Sequence, residues 1–156
     1  MHYYMLFSKT SERQHMGTRF ERGNKHDAFA VRTAVFMDEQ GFENEFEDLD
    51  DKDSTIHVTM YVDDELVGCA RTFPDEEYAD RFIFGRLAVL PAYRKRGYGA
   101  ALLEESERAA RENGAREIHL HAQCYITPFY EAHGYEQYGE VELDEHVEHI
   151  WMKKVL

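Results

Sequence analysis

The run Arg94-Lys95-Arg96-Gly97-Tyr98-Gly99-Ala100 sets three cations beside two glycines in a chain whose formal net charge is −13. It follows an apolar stretch ending in Val89-Leu90-Pro91, and a helical pattern starts at Tyr98 and runs to Asn113, with Gly114 as its stop. A glycine loop that opens a helix aims several unpaired backbone N–H groups at one point, and the positive end of the helix dipole adds to them. The predicted chemistry is capture of a phosphate or pyrophosphate; the plainer alternative is a helix cap with surface arginines. Spacing narrows the choice. A dinucleotide fingerprint needs a third glycine where Leu102 stands, and no P-loop Gly-Lys-Ser/Thr run is present.

What does fit is Arg94-x-x-Gly97-x-Gly99. This resembles the pyrophosphate loop of the GNAT superfamily, the acetyl-coenzyme A-dependent N-acetyltransferases, whose pattern is Gln/Arg-x-x-Gly-x-Gly/Ala. The segment Thr127-Pro128-Phe129-Tyr130-Glu131-Ala132-His133-Gly134-Tyr135 is similar to the short GNAT helix that carries Phe-Tyr and ends at Gly-Tyr. Val35-Phe36-Met37-Asp38-Glu39-Gln40-Gly41, His121-Ala122-Gln123 and His149-x-x-Met152 resemble one bacterial branch, the ElaA-like and YjcF-like proteins. The resemblance covers roughly residues 28–154.

The resemblance implies acetyl-coenzyme A as cosubstrate and a GNAT-like acyl-CoA N-acyltransferase fold of the α/β class, a central mixed twisted sheet flanked by helices. It implies that the backbone of Leu87, Ala88 and Val89 holds the pantetheine arm. Arg94, Lys95, Arg96, Gly97, Tyr98, Gly99 and Ala100 would hold the pyrophosphate, with Phe129 and Tyr130 alongside. Tyr130 lies where the family keeps its general acid. A phenol near pKa ~10 can protonate a thiolate whose thiol is near ~8.5 without itself being ionised at neutral pH; the alternative is a packing aromatic. The amine needs a base, and Glu39, His121 and His149 are the candidates, each histidine reading equally as a structural one. Glu39, Gln40 and Gln123 would border the acceptor. No metal site is expected.

The elements that must position these residues follow from pattern. His2–Lys9 reads as a strand, and 10–25 is polar and unassigned. A helix over His26–Gln40 places Phe29, Ala30, Val31, Ala34, Val35 and Met37 on its apolar side, and Gly41 ends it. Ile56–Val62 alternates as a half-buried strand, Asp63-Asp64 turns, and Leu66–Phe73 returns. Arg81–Leu90 and Ile118–Gln123 are strands joined by the 98–113 helix, a parallel pair with a crossover. That helix places Leu102, Leu103, Ser106, Ala109 and Ala110 on one face. Thr127 as N-cap and Pro128 start a short helix that Gly134 stops. Glu136–Leu143 and His146–Lys154 finish the chain as strands joined through Asp144-Glu145.

At 156 residues the chain is expected to be one domain, 1–156, with enough surface buried for a core. The negative charge argues against nucleic acid, no window is apolar enough for a membrane span, and the first residues lack signal-peptide features. Cys69 and Cys124 are expected on interior strands as reduced thiols, and the compartment as cytoplasm. Residues 38–53 hold nine acids against one lysine. They read either as a solvated loop or as a field that gathers a cationic amine. The function implied is acetyl transfer to a primary amine of a small molecule by direct attack in a ternary complex. A protein acetyltransferase, acting on lysine or N-termini, and a non-catalytic acetyl-coenzyme A-binding module are the alternatives, and a homodimer is left open.

Overall fold

The computed structural model describes residues 17–156, so the strand expected over His2–Lys9 lies outside the described residues. Seven strands form one sheet in the order β1-β2-β3-β4-β5-β7-β6. They are β1 (Thr18–Arg22), β2 (Ile56–Val62), β3 (Glu65–Pro74), β4 (Arg81–Val89), β5 (Glu117–Gln123), β6 (Glu136–Asp144) and β7 (Val147–Val155). Only β4 and β5 run parallel; the other neighbours are antiparallel. Among the described residues three α-helices accompany them: α1 (Lys25–Arg32), α2 (Tyr98–Glu112) and α3 (Thr127–Ala132). The mixed sheet, the parallel β4–β5 pair and the crossover helix are as expected. Strand β1, in a stretch with no assignable pattern, pairs with the edge of β2.

Local chemistry explains most boundaries. Asp63 and Asp64 both take positive φ, 50° and 67°, the two-residue turn that suits a right-twisted hairpin. The Asn24 side chain caps α1 by accepting from the Asp27 N–H at 3.0 Å. The helix expected to run on to Gln40 stays α-helical only to Arg32 and continues as a π-helix over Thr33–Glu39. Its inward residues are Ala28, Val31, Arg32, Val35 and Phe36, while Ala30 is exposed. Thr127 is the first residue of α3 rather than its cap; Ile126 is the cap, and Thr127 Oγ1 donates to the Cys124 carbonyl at 3.1 Å.

Helix α2 buries Leu102, Leu103, Ser106, Ala109 and Ala110 completely, as its periodicity requires. It lies so close to β3 that a Cβ on Gly68 would stand 2.6 Å from the Ala88 carbonyl and 2.9 Å from Leu102 Cδ1. The main core lies here, between α2 and Val58, Met60, Ala70, Phe84, Ile118 and Leu120. A second core under α1 joins Val31, Val35 and Phe36 to Phe42, Cys69 and Ala88. With both faces covered, β2 is buried at His57, Thr59 and Tyr61 as well as at Val58 and Met60, not half-buried as the alternation suggested. Cys69 is buried on β3, whereas Cys124 stands half-buried in the 3₁₀ turn after β5; both are free thiols. Among the described residues no helix is long and apolar enough to cross a membrane.

Candidate active site

Strands β4 and β5 pair only over Arg81–Phe84 and Glu117–Leu120. Beyond Gly85 and His121 they diverge, and the edge of Leu87, Ala88 and Val89 that faces β5 has no strand partner. The divergence begins at a bulge. Arg71 lies opposite Gly85, but Cys69 lies opposite Ala88, so Arg86 and Leu87 together face Ala70. Arg86 takes φ 52°, an uncommon state for a residue with a side chain. Glu45 holds it there: its carbonyl accepts from Arg86 Nη2 at 3.1 Å, and its carboxylate stands 2.8 Å from Arg86 Nε.

The loop after β4 makes one 3₁₀ turn at Pro91–Tyr93 and reaches α2 through Gly97, whose φ of 82° favours glycine. No side chain caps α2, and the first turn-closing bond is from the Ala101 N–H to the Gly97 carbonyl at 3.2 Å. The preceding N–H groups are therefore open at the positive end of a 15-residue helix. Lys95 and Arg96 are exposed beside them, and Phe129 packs 3.8 Å from where a Gly99 Cβ would be. Arg94 is engaged elsewhere. Its Nε donates to the Val89 carbonyl at 2.9 Å, and both terminal nitrogens donate to Glu39 at 2.6 Å.

At the open end of the wedge a cleft is lined by Phe36, Gln40, Phe42, Arg86, His121, Gln123, Tyr130 and His149, with Asn44, Glu45, Asp144 and Glu145 on its outer side. Tyr130 is buried against Phe84, Phe129 and Tyr135, and its hydroxyl bonds to no described residue. Burial pushes the phenol up from its ordinary value, so it stays protonated at neutral pH. His149 is buried with Nδ1 2.9 Å from the Val147 carbonyl. A carbonyl only accepts, so Nδ1 carries the hydrogen, and in the neutral tautomer the lone pair is on Nε2. The His121 ring lies between Trp151, stacked at 4.8 Å, and His149 at 5.0 Å, and its buried Nε2 has no partner among the described residues. Burial, and next the neighbouring His149, lower its pKa.

The sequence candidates are thus divided. Tyr130, His121, His149, Gln40, Gln123 and Leu87 meet in the cleft, and Gln123 Nε2 donates to Gln40 Oε1 at 2.8 Å across it. Glu39 does not line it; it faces Arg94, which lowers its pKa. Arg86, Glu45, Phe42 and Asp144 were not anticipated there. The acidic run divides: Asp38, Glu39, Glu43, Glu47, Asp48, Asp51 and Asp53 are exposed, whereas Glu45 and Asp50 are buried at 4% and 2% exposure. Arg32 donates to Glu45 at 2.7 Å and to both oxygens of Asp50 at 2.9 and 3.0 Å. Arg71 reaches Asp50 at 2.9 Å and Glu47 at 3.1 Å.

The family model described as Acetyltransferase (GNAT) domain matches residues 8–156. The chain belongs to the GNAT acetyltransferase family. YjcF of Bacillus subtilis, an uncharacterized N-acetyltransferase, is 34% identical over 131 residues, spanning 82% of this chain and 90% of its own. Protein ElaA of Escherichia coli is 28% identical over 128 residues, 80% of this chain and 82% of its own. The crystal structure of ElaA superposes with a TM-score of 0.78 over 88% of this chain and 99% of its own, at 22% identity. That of an acyl-CoA N-acyltransferase from Pseudomonas aeruginosa gives 0.80 over 89% and 100%, also at 22%. The acetyltransferase therefore uses acetyl-coenzyme A, and its residues fit that group: an unpaired strand edge at 87–89 and an uncapped helix N-terminus at 97–100 flank one wedge. Gly97→Asp, which strains the φ of 82° and puts a carboxylate at the open N–H groups, should weaken coenzyme A binding at least about tenfold, the scale of one charge-assisted hydrogen bond. A calorimetric titration that gives wild-type affinity would remove the loop from the coenzyme site.

Proposed function

We propose that the acetyltransferase, acting as one domain, acetylates the primary amine of a small molecule by direct attack in a ternary complex. The observation that carries this reading is the convergence of Tyr130 and the His121–His149 pair on one cleft beside the open edge of β4. Bound acetyl-coenzyme A supplies an activated thioester. The edge of Leu87–Val89 orients it by backbone hydrogen bonds, and the open N–H groups at Gly97–Ala100 grip its anionic end. His149 Nε2, directly or through His121, takes the proton of the incoming ammonium. The free amine then attacks the thioester carbonyl, and as the C–N bond forms and the C–S bond breaks Tyr130 gives its hydroxyl proton to the departing sulfur and recovers one from the acetylated nitrogen. Glu39, held as an ion pair with Arg94, is a poor base, since the pairing favours its charged and weakly basic form.

A small acceptor suits the enclosure. Gln40 and Gln123 bridge the cleft, His146 Nε2 is bonded to the Gln40 carbonyl at 2.8 Å, and Glu145 accepts from the N–H groups of Glu43 and Asn44 at 3.0 and 3.2 Å. A peptide acceptor would want a longer, open groove, so these contacts favour a small one. Arg32, Arg71, Arg86 and Arg94 pair with Glu39, Glu45, Glu47 and Asp50 of the 38–53 run, while Asp38, Glu43, Asp48 and Asp53 stay exposed, so only part of the run supports a cationic acceptor.

The test is the pH dependence of kcat/KM with an amine acceptor found by a thiol-release screen. A histidine base works when neutral, so activity rises with pH through its pKa and is then flat. Because burial and the neighbouring His149 lower the pKa of His121, the acid limb of the wild-type profile should lie below that of an ordinary histidine. His149→Ala and His121→Ala should each lose about tenfold at pH 7, near the low end of base effects because one ring remains, and should keep gaining rate above it. Wild-type profiles in both variants would exclude the pair.

A further inference from the structure

We propose that Glu39 sets the enzyme's affinity for its coenzyme by competing with the pyrophosphate for Arg94, standing in as an anion while the loop is empty. Arg94 opens the pyrophosphate pattern, two residues before the loop's exposed Arg96 and three before Gly97. Its two terminal nitrogens both end on the Glu39 carboxylate at 2.6 Å, a fork-on-fork geometry that phosphate oxygens match equally well. Its Nε, bonded to the Val89 carbonyl, keeps the side chain at the mouth of the wedge whichever anion it faces. The pair is more than a third exposed on both sides, 37% and 39%, so exchanging one anion for another requires no opening of the core. Lys95 and Arg96 have no carboxylate partner in reach among the described residues, so Arg94 is the one loop cation that is already matched. Glu39 ends the π-helical segment whose next residue, Gln40, bridges to Gln123, so the carboxylate is presented from the acceptor wall to the coenzyme loop.

The expected sign is opposite to that of an ordinary supporting residue. If Glu39 merely oriented Arg94 for the phosphate, removing its charge would weaken coenzyme binding. If it competes, Glu39→Gln frees the guanidinium and tightens binding. An exposed pair of this kind is worth up to about 1 kcal/mol, so the gain should be about three- to fivefold in Kd.

The inference rests on the loop being the pyrophosphate cradle, and calorimetry separates the two. Coenzyme A and pantetheine, which lacks the pyrophosphate, are titrated into wild type, Glu39→Gln, Arg94→Ala and the double variant, with Gly97→Asp as control. Competition predicts that Glu39→Gln tightens coenzyme A about three- to fivefold, leaves pantetheine unchanged, and gives no gain when Arg94 is alanine. Weaker or unchanged coenzyme A binding in Glu39→Gln, or equal tightening of pantetheine, overturns it while Gly97→Asp still weakens binding. Unaltered binding in Gly97→Asp overturns the cradle itself, and the competition with it.

Discussion

Tyr130→Phe should lower kcat on the order of 10²-fold while leaving coenzyme affinity and stability near wild type. The three readouts separate because of how the residue is built in. Its ring is an interior aromatic, edge-on to Phe84 at 6.4 Å and to Tyr135 at 5.8 Å, and phenylalanine keeps those contacts. Its hydroxyl bonds to no described residue, so the variant breaks no protein hydrogen bond and should leave stability within about 0.5 kcal/mol of wild type. A loss of turnover without a loss of stability then belongs to the proton that the hydroxyl holds. The sign of the pH effect follows as well. Burial raises the phenol's pKa, so it remains a proton donor through neutral and mildly alkaline pH, and any acid limb in the profile belongs to another group. A wild-type rate and profile in Tyr130→Phe would make water the proton source.

What could be read in the chain and what could not differ in range. The glycine turn into α2 was legible because its signal is local: glycine at the φ of 82° that Gly97 adopts, cations beside it, and a helix directly after it. The buried face of α2 and the shared strand face of His121 and Gln123 were legible because periodicity carries them. Arg32 was not. A cation within an apolar helical stripe reads as a solvent-facing interruption, yet it is 1% exposed because its partners arrive from Glu45 and Asp50, 13 and 18 residues on. The acidic run misled for the same reason. The arginines that pair its buried Glu45 and Asp50 come from α1, β3 and β4, and Arg86 lies 41 residues from Glu45. Glu39 is one of three base candidates by sequence, and the arginine that pairs with it, Arg94, lies 55 residues away. The π-helical turn that carries Phe36 and Gln40 to the cleft leaves no periodic signature, and the bulge that puts Arg86 at positive φ leaves only one glycine, Gly85, inside its strand.

Arg32→Met should destabilise the fold by about 3–5 kcal/mol, read as a lowered denaturation midpoint with an unchanged slope. Methionine keeps much of the apolar stem, so packing is not what is lost. The loss is the neutralisation of two buried carboxylates. Burial alone would raise the pKa of Asp50, but the hydrogen bonds from Arg32, the Glu47 N–H and Arg71 hold it well below the usual carboxylate range. With Arg32 gone, Asp50 keeps Arg71 and Glu45 keeps Arg86, each with a charge less than it needs in a site closed to water. The exposed Lys52–Glu76 pair is the control, since Lys52→Ala should change stability by no more than about 0.5 kcal/mol. The network also holds the segment carrying Phe42, Asn44 and Glu45, which walls the cleft. Residual folded Arg32→Met enzyme should therefore show a raised KM for the acceptor with coenzyme binding little changed. A stability change under about 1 kcal/mol would mean that Glu45 and Asp50 are solvated or protonated in the folded protein, and the arginines would then be dispensable to the cleft wall.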